Sequence, residues 1–204
     1  MPYKTLQKEG IAEQIIEKSR FIAFAKPVSD REEAMAYFDL LRNRYKDATH
    51  CVPAMVLGEQ LQTQWASEDG EPQGTAGAPV LHMLVNEELT NMAVMVVRYF
   101  GGVKLGSGGL IRAYTSTAKA ALLAAETRLV REMVECTFEI AYPYLQKIEN
   151  AGAGGLFQIE NCVYSDVVTL AVSFLETDRE AVKTMLSDLT AGSLKILSEV
   201  SKKA

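Results

Sequence analysis

Residues 93–111 read AVMVVRYFGGVKLGSGGLI, and this stretch determines how the amino-terminal part of the chain folds. The unbroken apolar run at residues 93–97 predicts a strand that is buried on both faces. Five glycines within residues 101–109 interrupt regular structure, and a helix is predicted from Gly108 to about Ala125. Strand, glycine-rich loop and helix therefore follow one another, with Arg98 at the end of the strand.

Upstream of this stretch, short alternating segments predict a meander, and residues 29–32 read as a capping box ahead of a helix. Apolar runs on either side of residues 58–60 predict a hairpin. Residues 67–77 must form a loop, because glycine, proline and carboxylates are too frequent there for a helix or strand. The predicted elements are strands at 5–10, 13–18, 21–26, 51–57 and 61–66 and helices at 30–45 and 78–88.

Downstream of about residue 132 the pattern restarts in the order strand, helix, strand, strand, helix, strand. That order is the ferredoxin-like βαββαβ plan. We therefore expect an α+β protein of two domains, residues 1–130 and residues 131–204, in which the first is an α/β sandwich and the second is ferredoxin-like.

Composition excludes several classes of protein. The chain has 204 residues, 48% apolar and 23% charged, which is typical of a globular protein. A net charge of −5 argues against a uniformly basic nucleic-acid coat protein. Three cysteines at irregular spacing form neither a disulfide framework nor a zinc half-site. We expect a cytoplasmic protein without a signal peptide, membrane span, metal or cofactor.

The glycine-rich loop suggests a site for an anion, because backbone N–H groups that lead into a helix amino terminus attract phosphate. The nucleotide motifs do not fit. Ser107 stands where the P-loop lysine belongs, and residues 106–111 lack the last glycine of the dinucleotide fingerprint. Nucleotide hydrolysis and NAD binding are therefore not expected.

Basic residues cluster around the loop, since residues 92–128 contain five of them and one carboxylate. On the helix, Arg112, Thr115, Ser116 and Lys119 share a face by spacing, whereas Ile111, Tyr114, Ala118 and Ala121 are expected in the core. Tyr99 and Phe100 could stack on bases. The predicted anion-binding or nucleic-acid-binding residues are Arg98, Gly101, Gly102, Lys104, Gly106, Gly108, Gly109, Arg112 and Lys119.

A structural alternative stays open for the same residues, in which the aromatics are core and the cations pair with Glu68, Asp69 and Glu71. Those three carboxylates could instead serve as acid/base groups or bind a hard cation. His50 and Glu71 are the candidates for catalysis. His50 cannot form a dyad with Cys51, because neighbours on a strand point to opposite faces, and Cys51 and His82 are interpreted as structural.

Three strings carry a resemblance to the YigZ/IMPACT family: ATHCVPA at residues 48–54, DGEPQGTAG at residues 69–77 and RYFGGVKLGSGGLIRAY at residues 98–114. The resemblance covers essentially the whole chain. It implies an amino-terminal domain like the second domain of a small-subunit ribosomal protein and domain IV of elongation factor G. It also implies a carboxy-terminal ferredoxin-like domain similar to one in elongation factor G.

The resemblance further implies a role near translation, because both structural relatives touch RNA or ribosomes. The eukaryotic IMPACT protein regulates an initiation-factor kinase through an additional amino-terminal domain, which we do not expect ahead of Met1, so that role is not carried over. The first hypothesis is a non-catalytic protein that binds RNA or ribosome-associated factors. The alternatives are an enzyme for a small phosphorylated or anionic substrate, in a cleft between the acidic loop of residues 67–77 and the glycine-rich loop, and a protein-interaction module.

Overall fold

The helices and strands are described here by a computed structural model that covers residues 2–204 and divides them into two units, Pro2–Leu129 and Val130–Ala204. In chain order up to Val130 they are β1 (Tyr3–Leu6), β2 (Gly10–Ile16), β3 (Ser19–Pro27), α1 (Arg31–Arg44), β4 (His50–Leu57), β5 (Thr63–Ala66), α2 (Gly77–Asn86), β6 (Met92–Tyr99), α3 (Gly106–Ala125) and β7 (Thr127–Val130).

The central strand of the amino-terminal unit is β6, in a five-stranded sheet of order β2-β3-β6-β4-β5 whose neighbours are all antiparallel. Met95 and Val97 pack with Phe38 of α1 on one face. Val94 and Val96 face α2 and α3 on the other. The prediction of a strand buried on both faces is therefore confirmed, because helices cover the sheet on each side.

The predicted meander is wrong in part. Strands β2 and β3 form an antiparallel hairpin, but β1 pairs with β7 in a separate two-stranded sheet. The N–H groups of Gln7 and Lys8 donate to the carbonyl oxygens of Glu126 and Ala125, so the chain after β1 is attached to the end of α3. Strand β7 was not predicted, because its four residues, mostly exposed, show no alternation.

The helix predicted at residues 30–45 is present as α1, but its cap lies one residue later than the capping box predicted at residues 29–32. Asp30 is the N-cap and accepts a hydrogen bond from the N–H of Glu33 at 2.8 Å. The Glu33 carboxylate in turn accepts from the N–H of Ser29. That bond, together with Lys26, lowers the pKa of Glu33.

The carboxy-terminal unit contains the predicted βαββαβ order. Its elements are β8 (Glu132–Ile140), α4 (Leu145–Gly152), β9 (Gln158–Tyr164), β10 (Val168–Leu175), α5 (Arg179–Leu189) and β11 (Lys195–Lys203). The antiparallel sheet has the order β11-β8-β10-β9, and its inner face packs with Ile148 of α4 and Val182 of α5. The α+β, ferredoxin-like fold class is confirmed. No helix within residues 2–204 has the length and apolar character needed to cross a membrane.

Close packing of α3 on the sheet depends on Gly10. A Cβ atom at Gly10 would lie 2.3 Å from both the Ala121 O and the Ala125 N of α3. We expect Gly10→Ala to lower the free energy of unfolding by roughly 1–3 kcal/mol, because the helix would have to move away from β2. Urea unfolding followed by circular dichroism measures the change.

Gly108→Ala is the matched control, since a Cβ atom there meets nothing within 4 Å. In a helix this change should be neutral or stabilising by up to about 1 kcal/mol. Equal unfolding midpoints for the two variants would show that the contact between Gly10 and α3 does not limit the packing.

Candidate functional site

Segments distant in sequence meet at one buried cluster in the amino-terminal unit. Glu71 comes from the loop between β5 and α2, Arg98 from the end of β6 and Tyr114 from α3. Arg98 Nη1 donates to Glu71 Oε1 at 2.6 Å, and the Tyr114 hydroxyl donates to the same oxygen at 2.7 Å. Burial, and then the hydrogen bond to Glu71, raises the pKa of the Tyr114 hydroxyl well above its usual range. Tyr114 therefore stays protonated as a donor.

Arg98 is enclosed and does not belong to the surface predicted for anion binding. It is 5% exposed, and its guanidinium carbon lies 5.4 Å from the ring centroids of both Phe21 and Phe100. Its Nε finds no hydrogen-bond acceptor in the part of the chain that the structure describes. Its charge is balanced by Glu71, itself 7% exposed, so Arg98 is not available to bind an anion at the surface.

His50 borders this cluster. Its Nδ1 lies 2.7 Å from the backbone O of Asp69, and because a carbonyl only accepts hydrogen bonds, Nδ1 carries a proton. The other ring nitrogen, Nε2, faces Glu71 Oε1 at 3.8 Å. The two candidates for catalysis are therefore neighbours, but Glu71 Oε1 already accepts hydrogen bonds from Arg98 and Tyr114.

Cys51 contributes no nucleophile here. Its side chain packs in the cluster between the sheet and α1, whereas its N–H donates to Asp69 Oδ2 at 2.6 Å. Burial, and then the negative charge of Asp69, raises the pKa of the Cys51 thiol. A thiol that stays protonated is a poor nucleophile.

The acidic loop is stabilised by its own carboxylates. Glu68 accepts hydrogen bonds at the start of α2 from four backbone N–H groups, those of Gly74, Ala76, Gly77 and Ala78. Asp69 binds the Cys51 N–H, and Glu71 binds Arg98. The alternative in which these carboxylates pair with the predicted cations is therefore found for Glu71, which binds Arg98. Within residues 2–204, no cluster of three histidine, cysteine, aspartate or glutamate side chains is arranged to hold a metal ion.

The remaining predicted cations lie on a surface groove of about 840 Å³, called here the α3 groove. The spacing-based prediction of a shared helix face agrees with this geometry, since Arg112, Thr115, Ser116 and Lys119 all line it. Lys104 comes from the glycine-rich loop. The lining is Ile16, Glu17, Met83, Val103, Lys104, Leu105, Gly109, Arg112, Ala113, Thr115, Ser116 and Lys119.

The cations of the groove differ in their partners. The side chains of Lys104 and Arg112 are exposed and make no hydrogen bond or ion pair with any residue from 2 to 204. Lys119 Nζ lies 2.6 Å from Glu87 Oε1, an exposed pair that contributes little stability and is easily exchanged. Ile111, expected in the core, is instead 37% exposed. Tyr114, Ala118 and Ala121 are buried as predicted.

The loop glycines serve different purposes. A Cβ at Gly101 would lie 2.0 Å from Lys18 O, so this glycine permits close backbone contact. Gly102 and Gly106 have φ of +86° and +70°, which side chains disfavour. A Cβ at Gly109 would crowd Leu105 Cβ at 2.9 Å, whereas Gly108 borders open space.

The lining residues that sequence reasoning missed include Ile16, Glu17 and Met83. These three come from β2, the turn after it and α2, far from the glycine-rich loop in sequence. No local spacing connects them with that loop, because their position depends on the pairing of β2 with β3 and on the packing of α2 beside α3.

The fold defines a two-domain α+β protein with a buried Arg–Glu–Tyr cluster and a basic groove in its amino-terminal unit. The family model described as the Impact N-terminal domain matches residues 17–122. The chain is 37% identical over 193 residues to the IMPACT family member YvyE of Bacillus subtilis, an alignment that covers 93% of this chain and 88% of YvyE. The chain therefore belongs to the IMPACT family, and the predicted resemblance is confirmed.

Two further comparisons extend over most of the chain. The IMPACT family member YigZ of Escherichia coli is 34% identical over 185 residues, with 90% of this chain and 91% of YigZ covered. A solved structure described as a hypothetical protein superposes with a TM-score of 0.61 at 31% identity and covers 97% of both chains. The similarity to these proteins includes both units.

The buried pair gives a direct prediction. Glu71→Gln should lower the free energy of unfolding by about 3–5 kcal/mol, because it leaves the Arg98 charge buried without a counterion. Arg98→Met likewise leaves the Glu71 carboxylate buried without its counterion. The double variant should lose at least about 1 kcal/mol less than the sum of the single losses, as measured by urea unfolding. Additive losses would contradict a direct coupling between the two side chains.

Proposed function

We propose that this protein is a non-catalytic RNA-binding protein, and that the α3 groove is its RNA-binding surface. The observation that carries the proposal is the grouping of Lys104, Arg112 and Lys119 around one groove in a chain of net charge −5. Cations gathered on one surface of an acidic protein are the arrangement that recognises a phosphate backbone.

The start of α3 adds backbone donors to these cations. The first N–H groups of a helix have no partner within the helix, and the helix dipole places partial positive charge there. Gly106, Ser107 and Gly108 are exposed, the first turn contains no acidic residue, and no side chain in the described part of the chain caps it. A phosphate can therefore approach the backbone next to Lys104 closely.

The charge distribution favours the amino-terminal unit as the RNA-contacting part. Residues from 131 onward contain seven basic and eleven acidic side chains, a balance that repels phosphate. Family membership supports a proposal near translation, because the resemblance of both domains to ribosomal and elongation-factor domains implies RNA or ribosome-associated factors as partners. That resemblance supports the proposal as an analogy, and the groove supplies the physical argument.

Fluorescence anisotropy of labelled single-stranded RNA tests the proposal. Wild type should bind at low salt, and log K should fall linearly with log salt concentration. Lys104→Ala/Arg112→Ala should reduce the slope by about 1.4, because two phosphate contacts of about 0.7 each are lost. Lys104→Glu/Arg112→Glu should weaken binding by roughly tenfold or more.

Arg31→Glu/Lys46→Glu is the matched control, since it changes the net charge equally at exposed positions in and after α1. This control should bind RNA nearly as wild type does. Equal loss in both reversed variants would assign binding to overall charge and contradict the α3 groove. Absence of wild-type binding at low salt would contradict RNA binding altogether and direct attention to the enzyme alternative at His50 and Glu71.

A further inference from the structure

We propose that Phe100 is a stacking platform for an unpaired base, so that the RNA bound at the α3 groove is single-stranded. This inference rests on the proposed function and assigns a class of RNA to it. Phe100 is 47% exposed, although it lies between the buried strand β6 and the glycine-rich loop. Proteins bind single-stranded nucleic acid by stacking bases on exposed aromatic rings and by placing cations along the phosphate backbone.

One face of the Phe100 ring is supported from inside the protein. The Arg98 guanidinium carbon lies 5.4 Å from its centroid and is held in place by Glu71 Oε1 at 2.6 Å. The side chain of Arg98 cannot swing away without breaking a buried ion pair. The ring therefore has a rigid charged support on one side and solvent-exposed surface for a ligand.

The backbone at Phe100 is fixed as well. The Phe100 N–H donates to Thr49 Oγ1 at 3.0 Å, and the Gly101 N–H donates to Ser19 Oγ at 3.2 Å. These acceptors come from the residue before β4 and from β3, so two separate parts of the chain hold consecutive amides. An exposed aromatic residue on a fixed backbone loses little conformational entropy when a base stacks on it.

The neighbouring aromatic residue is arranged differently. The Tyr99 hydroxyl donates to Asp47 at 2.9 Å, and the guanidinium of Arg20 lies over its ring at 5.8 Å. Burial, and then the bond to Asp47, raises the pKa of the Tyr99 hydroxyl. Tyr99 is therefore engaged in structural contacts, and of the two aromatics predicted to stack on bases, Phe100 is the one we assign.

Phe100 lies within reach of the phosphate-binding groups. Val103 lines the α3 groove and is three residues away, a distance of at most about 11 Å along the chain. An RNA strand with one base stacked on Phe100 can therefore place its neighbouring phosphates near Lys104 and the start of α3. In a duplex the bases are stacked on each other, so their faces are not available to the ring.

The test compares the full chain binding to a short oligouridine, to the same oligomer with abasic residues and to a blunt RNA duplex. Phe100→Ala should weaken oligouridine binding by roughly 5- to 150-fold, the range for loss of one stacked base, with an unchanged salt slope. It should leave binding to the abasic oligomer and the duplex unchanged. The exposed Tyr164→Ala change in the carboxy-terminal unit is the matched control and should have no effect.

A second variant, followed by fluorescence, tests the stacking role even if Phe100→Ala does not fold. Phe100→Trp, made with Trp65→Phe to remove the single native tryptophan, should keep oligouridine affinity and lose tryptophan fluorescence on binding, because a stacked base quenches it. Unchanged affinity in Phe100→Ala, or no quenching in the tryptophan variant, overturns the stacking role. If Lys104→Ala/Arg112→Ala still weakens binding in that case, the α3 groove is still supported as the RNA-binding surface, and only the stacking role of Phe100 is wrong. If that variant too binds as wild type does, both are wrong.

Discussion

The ion pair between Arg98 and Glu71 is the interaction on which the rest of the amino-terminal site depends. It joins the end of the central strand to the acidic loop, and Tyr114 connects the same carboxylate to α3. A buried pair of this kind is weak evidence for added stability, because desolvation of both charges offsets their attraction. We interpret the pair as a contact that specifies one arrangement of the loops around the site. Neither partner is satisfied unless the acidic loop folds back onto the sheet, and this fixes the position from which the glycine-rich loop departs.

Much of the fold could be predicted, because the patterns that determine it are local. The apolar run of β6, the hairpin at Gly58 and the βαββαβ order each lie in a continuous stretch with a clear period. The errors concern pairing over long distances and single residues. Strand β1 pairs with β7 at the far end of the unit, and helix α1 begins one residue later than expected because Asp30 binds the N–H of Glu33.

The site was predictable where helix geometry alone decides it. Arg112 and Lys119 share a face because seven residues complete two turns, and both line the α3 groove. Arg98 was placed with them because its charge follows a strand end. Its partner Glu71 lies 27 residues earlier, and the sequence contains no signal that this carboxylate, rather than Glu68 or Asp69, returns to it. Burial thus separates Arg98, which has a structural role, from the exposed cations for which we propose RNA binding.

The most direct test of the account is a titration of the isotopically labelled full chain with oligouridine, followed by two-dimensional amide NMR spectra. Contact with RNA changes the chemical environment of nearby amides, so the largest shifts should fall on Phe100, on the glycine-rich loop and on the first turns of α3. Saturable shifts there, with small changes in Val130–Ala204, are the predicted result. Shifts confined to the carboxy-terminal unit, or spectra that do not change, would contradict the central claim that the α3 groove is the RNA-binding surface.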